Sequence, residues 1–322
     1  MKTYFSNPIL FALLFLFIAC SNDDTEQTET ETDKETPIVA TPTFNDFYAS
    51  VVNQVTQADL TNTLQTYEDF GAKSTGSTEL DQVQSWIETT YEDLGYTDIE
   101  TQTFPTGITS GTNIIVTKKG TKFPDTYIVI IGHYDAVVTG TNDNGTGTVI
   151  LLELAKLLKD IPTAYYIKFI HFSGEEIGLV GSNYYVENSV KPQNLDIRLV
   201  FNIDQVGGSK DKEENILLCE KGTLNDGVIN DTSEAFTLAI AEAAKLYSSV
   251  ETEIDIAFGS DYVPFERNGE IVTGLFEKDG TASPYYHTEN DLLVNIDPEF
   301  FTEVAKATAG AVLHFAVAEE QP

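Results

Sequence analysis

The stretch TYIVIIGHYDAV, residues 126–137, decides the fold of this chain. It is apolar at successive positions up to Gly132, a pattern typical of a strand that is buried on both faces. His133 follows this run and should therefore lie at the carboxyl end of a central strand. A lone histidine in a strand is more often structural than functional, so the case for His133 depends on the residues that accompany it.

A glycine-rich turn comes next and opens a helix in GTNDNGTGTVILLELAKLL, residues 140–158. A phosphate-binding loop and a dinucleotide fingerprint are both disfavoured, because no lysine follows Gly147 and Ile150 stands where a third glycine would be. What the turn offers is Asp143. A carboxylate held in a constrained turn could bridge two cations through its two oxygens.

Further candidate ligands follow other strand-like runs. In YYIKFIHFSGEEIGLVGS, residues 165–182, a buried strand ends at Gly174, and Glu175 and Glu176 are presented together. Adjacent acids at such a position are costly unless cations neutralise them, so one glutamate can bind metal while the other transfers protons. Asp204 ends the strand in RLVFNIDQVG, and His287 lies in the polar loop SPYYHTENDLLVNID.

The remaining polar residues near these runs receive supporting or structural roles. Asp135 should point to the same side as His133 in an extended chain, where it could accept the other ring N–H of His133 and fix its tautomer. His171 lies inside a strand and His314 on the last helix, and both are predicted to be structural. The helical HExxH zinc motif does not occur.

The chain as a whole predicts an α/β fold. Helices are predicted over residues 46–68, 79–94, 148–158, 233–247 and 298–318. Strands are predicted over residues 99–104, 113–118, 127–132, 165–172, 197–203, 215–218, 254–258 and 271–276. Alternation of this kind indicates a single domain with a central mixed, mostly parallel sheet covered by helices on both faces, with ligands collecting at its carboxyl edge.

The amino-terminal segment predicts export. Residues 1–19 combine Lys2 with an apolar stretch too short to span a bilayer, which is typical of a signal peptide. The FIAC junction before Cys20 resembles a bacterial lipobox, so Cys20 is expected to carry lipid; ordinary secretion is the alternative. Residues 20–43 are predicted to be a disordered acidic tether, and residues 44–322 the folded domain. The expected location is the cell envelope, as an outer-membrane lipoprotein that is periplasmic or surface-exposed.

The net negative charge of the chain limits the classes of molecule that it can bind. The formal net charge is −33, and removal of Lys2 with residues 1–19 takes it to −33 − 1 = −34. Such a surface repels nucleic acid and anionic headgroups, so the only predicted membrane contact is the lipid anchor. Cys219 is the only other cysteine, and with Cys20 lipidated no intrachain disulfide is possible.

Six motifs in order resemble those of the dizinc aminopeptidases of bacterial leucine aminopeptidase type, whose relatives include glutaminyl cyclases. The motifs are HYD (133–135), NDNGTG (142–147) followed by LLELAK (151–156), FSGEEIGLVGS (172–182), NIDQVG (202–207), GSDYVPF (259–265) and YYHTENDLL (285–293). Each motif is weak alone, but six in register are specific. The resemblance covers essentially the whole chain from Phe44 onward.

The resemblance implies a site with two zinc ions. Asp143 would bridge them, His133 and Asp204 would complete one site, and Glu176 and His287 would complete the other. The family mechanism is hydrolysis of amino-terminal residues from peptides by a metal-bridging hydroxide. Glu175 would then be the general acid–base, Tyr286 would polarise the scissile carbonyl, and Ser260 or Asp261 would orient the surroundings of His287.

Two other functions stay open. A glutaminyl cyclase-like aminoacyltransferase would use the same pocket with one zinc ion and would not require both His133 and Asp204. A non-catalytic binding lipoprotein would be expected to have lost ligands. Because all five ligands are present, hydrolysis by an exopeptidase is favoured. The preferred substrate residue, aminopeptidase versus carboxypeptidase action, the oligomeric state and calcium dependence stay open.

Overall fold

The central strand of the sheet contains the apolar run that precedes His133. In the computed structural model, which describes residues 37–107, 109–224, 227–257 and 259–317, strand β3 runs from Phe123 to His133. Residues 128–131 of this strand are completely buried. β3 pairs in parallel with β4 on one side and with β5 on the other, so it is covered at both edges as well as on both faces.

The described residues contain eight strands in one sheet. Their bounds are β1 (Ile99–Pro105), β2 (Ser110–Lys118), β3 (Phe123–His133), β4 (Tyr165–Phe172), β5 (Asp196–Ile203), β6 (Leu217–Lys221), β7 (Thr252–Ile256) and β8 (Val272–Glu277). The strand order is β1-β2-β4-β3-β5-β8-β6-β7. The pairs β4–β3, β3–β5, β5–β8 and β6–β7 are parallel, and the pairs β1–β2, β2–β4 and β8–β6 are antiparallel. The predicted mixed, mostly parallel sheet is therefore confirmed.

Helices cover this sheet. Their bounds are α1 (Asp46–Val52), α2 (Gln57–Asp69), α3 (Thr78–Asp93), α4 (Gly147–Leu158), α5 (Val180–Tyr185), α6 (Lys191–Gln193), α7 (Asp231–Tyr247), α8 (Val263–Arg267) and α9 (Pro298–Ala316). Single π or 3₁₀ turns lie at Thr141–Thr146, Val186–Val190, Gly280–Ala282 and Leu293–Asn295.

The alternation of β3 side chains divides the core into two layers. Ile128 and Ile130 belong to the larger cluster, which includes residues of α1 to α4, α7 and α9. Val129 and Ile131 belong to a second cluster on the opposite face, with contributions from α5 and α8. Successive residues of a strand point to opposite faces, so a run that is apolar at every position can serve both layers. Helices on both faces are thus confirmed.

The parallel strands β4, β3, β5 and β8 end at the same edge of the sheet. The loops that follow them carry most of the candidate residues, as expected for an α/β sheet of this kind.

Three local predictions need correction. The single helix predicted over residues 46–68 is wrong, because the chain turns after Val52 and a new helix begins where the Thr56 side chain accepts the N–H of Asp59 at 3.1 Å. The short helices α5, α6 and α8 were not predicted, since none is long enough to show a periodic apolar pattern. The strand predicted over residues 215–218 is Leu217–Lys221.

The start of the folded chain also differs from the prediction. Residues 37–43, assigned to the tether, form no helix or strand, but Pro42 is buried and Val39 packs against the larger core cluster. The Ile38 carbonyl accepts a hydrogen bond from Arg198 Nη2 at 2.9 Å. Residues 1–36, with the predicted signal peptide and Cys20, lie outside the described part of the chain, as do Phe258 and Ala318 at two predicted element ends. Within the described ranges, no helix is both long and apolar enough to cross a membrane.

Candidate metal centre

The five predicted ligands meet at the carboxyl edge of the sheet. His133 is the last residue of β3, Asp204 comes directly after β5, and Glu176 follows β4. Asp143 lies in the turn Thr141–Thr146, and His287 lies in the loop after the Gly280–Ala282 turn. Residues more than 150 positions apart in the chain are thus placed in one group by the parallel strands and their loops.

One half of the group contains His133, Asp143 and Asp204. Nε2 of His133 lies 3.2 Å from Oδ1 of Asp143 and 3.4 Å from Oδ1 of Asp204. All three residues are buried. Burial alone would lower the pKa of His133, but the Asp204 and Glu175 carboxylates and the hydrogen bonds to Asp143 and Asp204 raise it well above its usual value.

The other half contains Asp143, Glu176 and His287. Nε2 of His287 lies 3.2 Å from Oδ2 of Asp143 and 3.1 Å from Oε2 of Glu176. The His287 side chain is 35% exposed, whereas that of His133 is 1% exposed. Solvent therefore reaches the group from the His287 side.

Asp143 is shared by the two halves, and each of its oxygens faces a different histidine. In each half, every residue offers one potential ligand atom, and the three atoms lie within 4.8 Å of one another. Oε1 of Glu176 is buried and has no hydrogen-bond partner, which is costly for a carboxylate oxygen unless a cation binds there. Oδ1 of Asp204 is also buried, and it faces Nε2 of His133 at 3.4 Å. The mixed imidazole and carboxylate set suits a divalent transition-metal ion in either half. The residues present therefore fit a two-metal centre.

The turn that carries Asp143 is held by side chains from distant segments. The carboxylate of Asp291 accepts the main-chain N–H groups of Asn142 at 2.7 Å and of Asp143 at 3.0 Å. The Asn144 side chain donates to the Ile203 carbonyl at 2.9 Å and accepts the N–H of Gln205 at 3.2 Å. Asp143 is thereby fixed relative to the end of β5.

Asp135 has a different partner from the one predicted. Nδ1 of His133 lies 3.0 Å from the main-chain oxygen of Asp135, whereas the nearer carboxylate oxygen is 3.8 Å away. β3 ends at His133, so Asp135 lies in the loop beyond the strand. The Asp135 carboxylate instead accepts hydrogen bonds from Thr75 Oγ1 at 2.9 Å and from the Glu175 N–H at 3.3 Å.

Glu175 and Glu176 have different surroundings. Glu176 faces His287 and Asp143. A carboxylate oxygen of Glu175 lies within 4.8 Å of potential ligand atoms of His133 and Glu176. Burial raises the pKa of Glu175 to about 9 and that of Glu176 to about 8, with neighbouring carboxylates adding to the effect and His133 opposing it. Cations between these carboxylates would oppose this rise and favour their ionised forms.

Ser260 and Asp261 lie near Asp204, not around His287 as the resemblance implied. Ser260 Oγ donates to Oδ2 of Asp204 at 2.6 Å and accepts a hydrogen bond from Nδ2 of Asn202 at 2.9 Å. Asp261 is completely buried, and burial raises its pKa to about 7, with Asp135 and Asp204 adding to the effect and His133 opposing it. These residues therefore set the environment of the half that contains Asp204.

Tyr286 lies beside the second histidine. Its ring stacks on that of His287, with a distance of 3.7 Å between ring centroids and an interplanar angle of 21°. Burial raises the pKa of the Tyr286 phenol, and the nearby carboxylates of Asp143 and Glu176 raise it further. The hydroxyl therefore stays protonated at neutral pH and is available as a donor.

The other histidines have structural contacts, as predicted. His171 is completely buried, its Nε2 lies 2.9 Å from the Tyr91 hydroxyl, and burial lowers its pKa to about 3. His314 on α9 is partly buried; its ring packs edge-on against Tyr48, and its Nε2 lies 3.0 Å from the Tyr247 hydroxyl.

Sequence reasoning missed two buried carboxylates that hold the site together, Asp291 and Glu277. Asp291 lies four residues after His287, within the quoted motif YYHTENDLL, and Glu277 ends β8. A carboxylate at the end of a buried strand was the signal that identified Asp204, and it applies equally to Glu277. Thr75, the partner of Asp135, gave no signal in the sequence.

Comparison with known proteins agrees with this geometry. Over 218 residues the chain is 34% identical to aminopeptidase YwaD of Bacillus subtilis (strain 168), covering 65% of this chain and 46% of that protein. The chain spans about half the length of the curated relatives it matches.

Solved structures share the fold. The LapA aminopeptidase of Legionella pneumophila superposes with a TM-score of 0.71 at 19% identity, covering 87% of this chain and 78% of that one. BSAP, a zinc aminopeptidase from Bacillus subtilis, superposes with a TM-score of 0.65 at 19% identity, covering 88% and 97%. A family model, that of peptidase family M28, matches residues 113–312. The chain therefore belongs to peptidase family M28.

Proposed function

We propose that this chain is a zinc-dependent exopeptidase, and specifically an aminopeptidase that removes amino-terminal residues from peptides. The observation that carries this proposal is the position of Asp143, whose two oxygens face two separate sets of ligands. Membership of family M28 supports peptide hydrolysis, and the names of YwaD and BSAP support an aminopeptidase and zinc.

We further propose two zinc ions. His133, Asp143 and Asp204 would hold one ion, and Asp143, Glu176 and His287 the other. Zinc accepts imidazole and carboxylate ligands and, when bound, polarises a carbonyl and lowers the pKa of water. The buried Oε1 of Glu176, which has no hydrogen-bond partner, and Oδ1 of Asp204 would then be compensated by the positive charge of the ions.

Glu175 is the residue best placed to move protons. Its carboxylate lies within 4.8 Å of potential ligand atoms of His133 and Glu176, in the loop that follows β4, where it would face the reacting water. In the hydrolysis it would accept a proton from the attacking water and deliver it to the nitrogen of the leaving amine. Asp135 positions this base, because its carboxylate binds the main-chain N–H of Glu175.

Tyr286 would donate a hydrogen bond to the oxygen of the scissile carbonyl. Its neutral hydroxyl carries the proton that this role requires, and its stacking on His287 fixes the ring at the open side of the site. A donor at that point stabilises the negative charge that develops on the oxygen in the transition state.

The proposal is tested by a metal count combined with a substrate panel. The purified protein should hold two zinc equivalents and hydrolyse aminoacyl amides and free-amino peptides, but not peptides with a blocked amino terminus. Asp143→Ala should lose more zinc than any other single ligand variant, because Asp143 serves both ions. Asp81→Ala, which removes an exposed carboxylate of α3, is the matched control and should retain both metal and activity.

Other outcomes would point elsewhere. One zinc equivalent in the fully active protein, with formation of pyroglutamate from amino-terminal glutamine, would favour the cyclase. Metal binding without turnover of any peptide in the panel would favour a binding protein.

A further inference from the structure

Glu277, at the end of β8, is a buried carboxylate whose hydrogen bonds go to the chain neighbours of two candidate metal ligands. It is 2% exposed. Oε1 accepts hydrogen bonds from Nδ2 of Asn142 at 3.0 Å and from Nε2 of Gln205 at 3.2 Å. Oε2 accepts the N–H of Gly208 at 2.5 Å.

The two side chains that Glu277 binds lie next to metal ligands in the chain. Asn142 precedes Asp143, and Gln205 follows Asp204. The main chain adds a second connection, because the N–H of Glu277 donates to the Gln205 carbonyl at 2.9 Å. One carboxylate thus connects the turn that carries Asp143 with the end of the strand that carries Asp204.

The contacts require a group that only accepts hydrogen bonds. Three N–H donors converge on the two oxygens of Glu277. An amide in its place would turn an N–H towards at least one of these donors, either towards the Gly208 N–H or towards the amides of Asn142 and Gln205. Gln205 also holds a left-handed backbone conformation, with φ of 46°, which is unfavourable for a non-glycine residue unless its surroundings fix it.

We propose that Glu277 is a positioning residue for the metal centre. By binding Asn142 and Gln205 together it sets the separation of Asp143 and Asp204, and so it raises the affinity for the metal ion held by His133, Asp143 and Asp204. The identity of that ion as zinc rests on the proposed function, but the positioning role concerns any divalent ion that these ligands hold.

The first experiment compares Glu277→Gln with the unaltered protein by titration of Zn²⁺ against a chromogenic chelator, without substrate. We expect the Kd of one zinc equivalent to rise by about 10- to 100-fold, as is typical when a group that orients a ligand is removed. The other equivalent should change less, since Glu277 binds the chain neighbour of one of its ligands, Asp143, but the neighbours of both Asp143 and Asp204 in the first site. Glu153→Gln is the control, because Glu153 is a buried carboxylate whose ion-pair partner, Lys156, lies on the same helix α4.

A second variant separates positioning from a general structural effect. In Glu277→Gln combined with Asn142→Asp, the carboxylate and the amide exchange places, so the hydrogen bond between positions 142 and 277 can form in reverse. Gln205 can turn its amide to accept from the new N–H, because its Oε1 has no other partner. We expect the double variant to recover the lost zinc affinity to within a few fold.

Unchanged zinc affinities in Glu277→Gln, or a double variant that binds no better than the single one, would overturn the proposal. If Glu277→Gln does not fold, Asn142→Ala keeps Glu277 and removes its bond to the Asp143 turn, together with the bond that Asn142 Oδ1 accepts from the Gly207 N–H at 2.8 Å. At least the same loss of affinity is expected, and its absence would overturn the proposal. An unaltered protein that binds zinc but hydrolyses no peptide would contradict the proposed function and leave this test intact.

Discussion

Glu175 and Glu176 are neighbours in the chain but face different partners. Glu176 lies 3.1 Å from His287 Nε2, whereas the main chain of Glu175 is bound by Asp135. Both residues lie in the loop after β4, where their contacts differ. On this basis we propose a division of roles, in which Glu176 holds metal and Glu175 exchanges protons.

This division predicts different effects of one substitution at the two positions. Glu175→Gln should keep its zinc and KM, while kcat falls by about 10²- to 10⁴-fold, because a proton transfer made in the transition state is lost. Glu176→Gln should lose zinc affinity first. Zinc content and steady-state kinetics of the two variants, measured side by side, check this; reversed effects would mean that the roles of base and ligand are exchanged.

Helix α2 illustrates how an element outside the sheet supports the centre. Near its end, Glu68 accepts hydrogen bonds from Oγ1 of Thr141 at 2.8 Å and from the N–H of Leu293. The first contact holds the turn of Asp143 and the second holds the segment that follows His287. The position of α2 therefore affects loops from both halves of the candidate centre.

The amino-terminal cap of α2 should matter for stability. Thr56→Ala removes the side-chain acceptor of the Asp59 N–H and should lower the free energy of unfolding by about 1 kcal/mol. Thr66→Ala, an exposed position within the same helix, should change it by less than about 0.5 kcal/mol. Urea denaturation of both variants measures the two free energies of unfolding. Equal decreases in Thr56→Ala and Thr66→Ala would show that the cap contributes nothing specific.

The response of the whole molecule to acid should depend on His171. Burial lowers its pKa from 6.5 to about 3 in the folded protein, so between these values the unfolded chain binds a proton that the folded chain does not. Stability from this group is complete above pH 6.5 and is lost as the pH falls towards 3.

We expect the unaltered protein to lose about 2 kcal/mol through His171 between pH 7 and pH 5. His171→Gln can keep a bond to the Tyr91 hydroxyl but cannot bind the proton, so its unfolding free energy should fall less over the same range. Urea denaturation of both proteins at pH 7 and at pH 5 measures these unfolding free energies. A parallel decrease in both proteins would mean that His171 titrates alike in the folded and unfolded states.

We propose that the protein is attached to the membrane through lipid on Cys20 and the acidic segment of residues 21–36. The net negative charge of the chain disfavours direct contact of the folded domain with anionic headgroups. Cys20→Ala should release the protein from the membrane fraction without changing kcat/KM of the folded domain. Unaltered protein found wholly in the soluble fraction would refute lipidation and leave the catalytic proposal untouched.

The sequence by itself determined the fold class and the order of the candidate ligands. The apolar run before His133 and the carboxylates after the next strands are local patterns. Such patterns can be recognised in the sequence without knowing which residues are in contact. The same information predicted which residues gather at the sheet edge, because parallel strands that end together bring their following residues together.

The tertiary structure decided which atom faces which. Only the fold shows that the two oxygens of Asp143 point to different histidines, that His133 bonds the main chain of Asp135 rather than its carboxylate, and that Ser260 contacts Asp204. It also brought Glu277 and Asp291 to the centre. These contacts join segments far apart in sequence, and their geometry depends on strand register and loop paths, which no local pattern encodes.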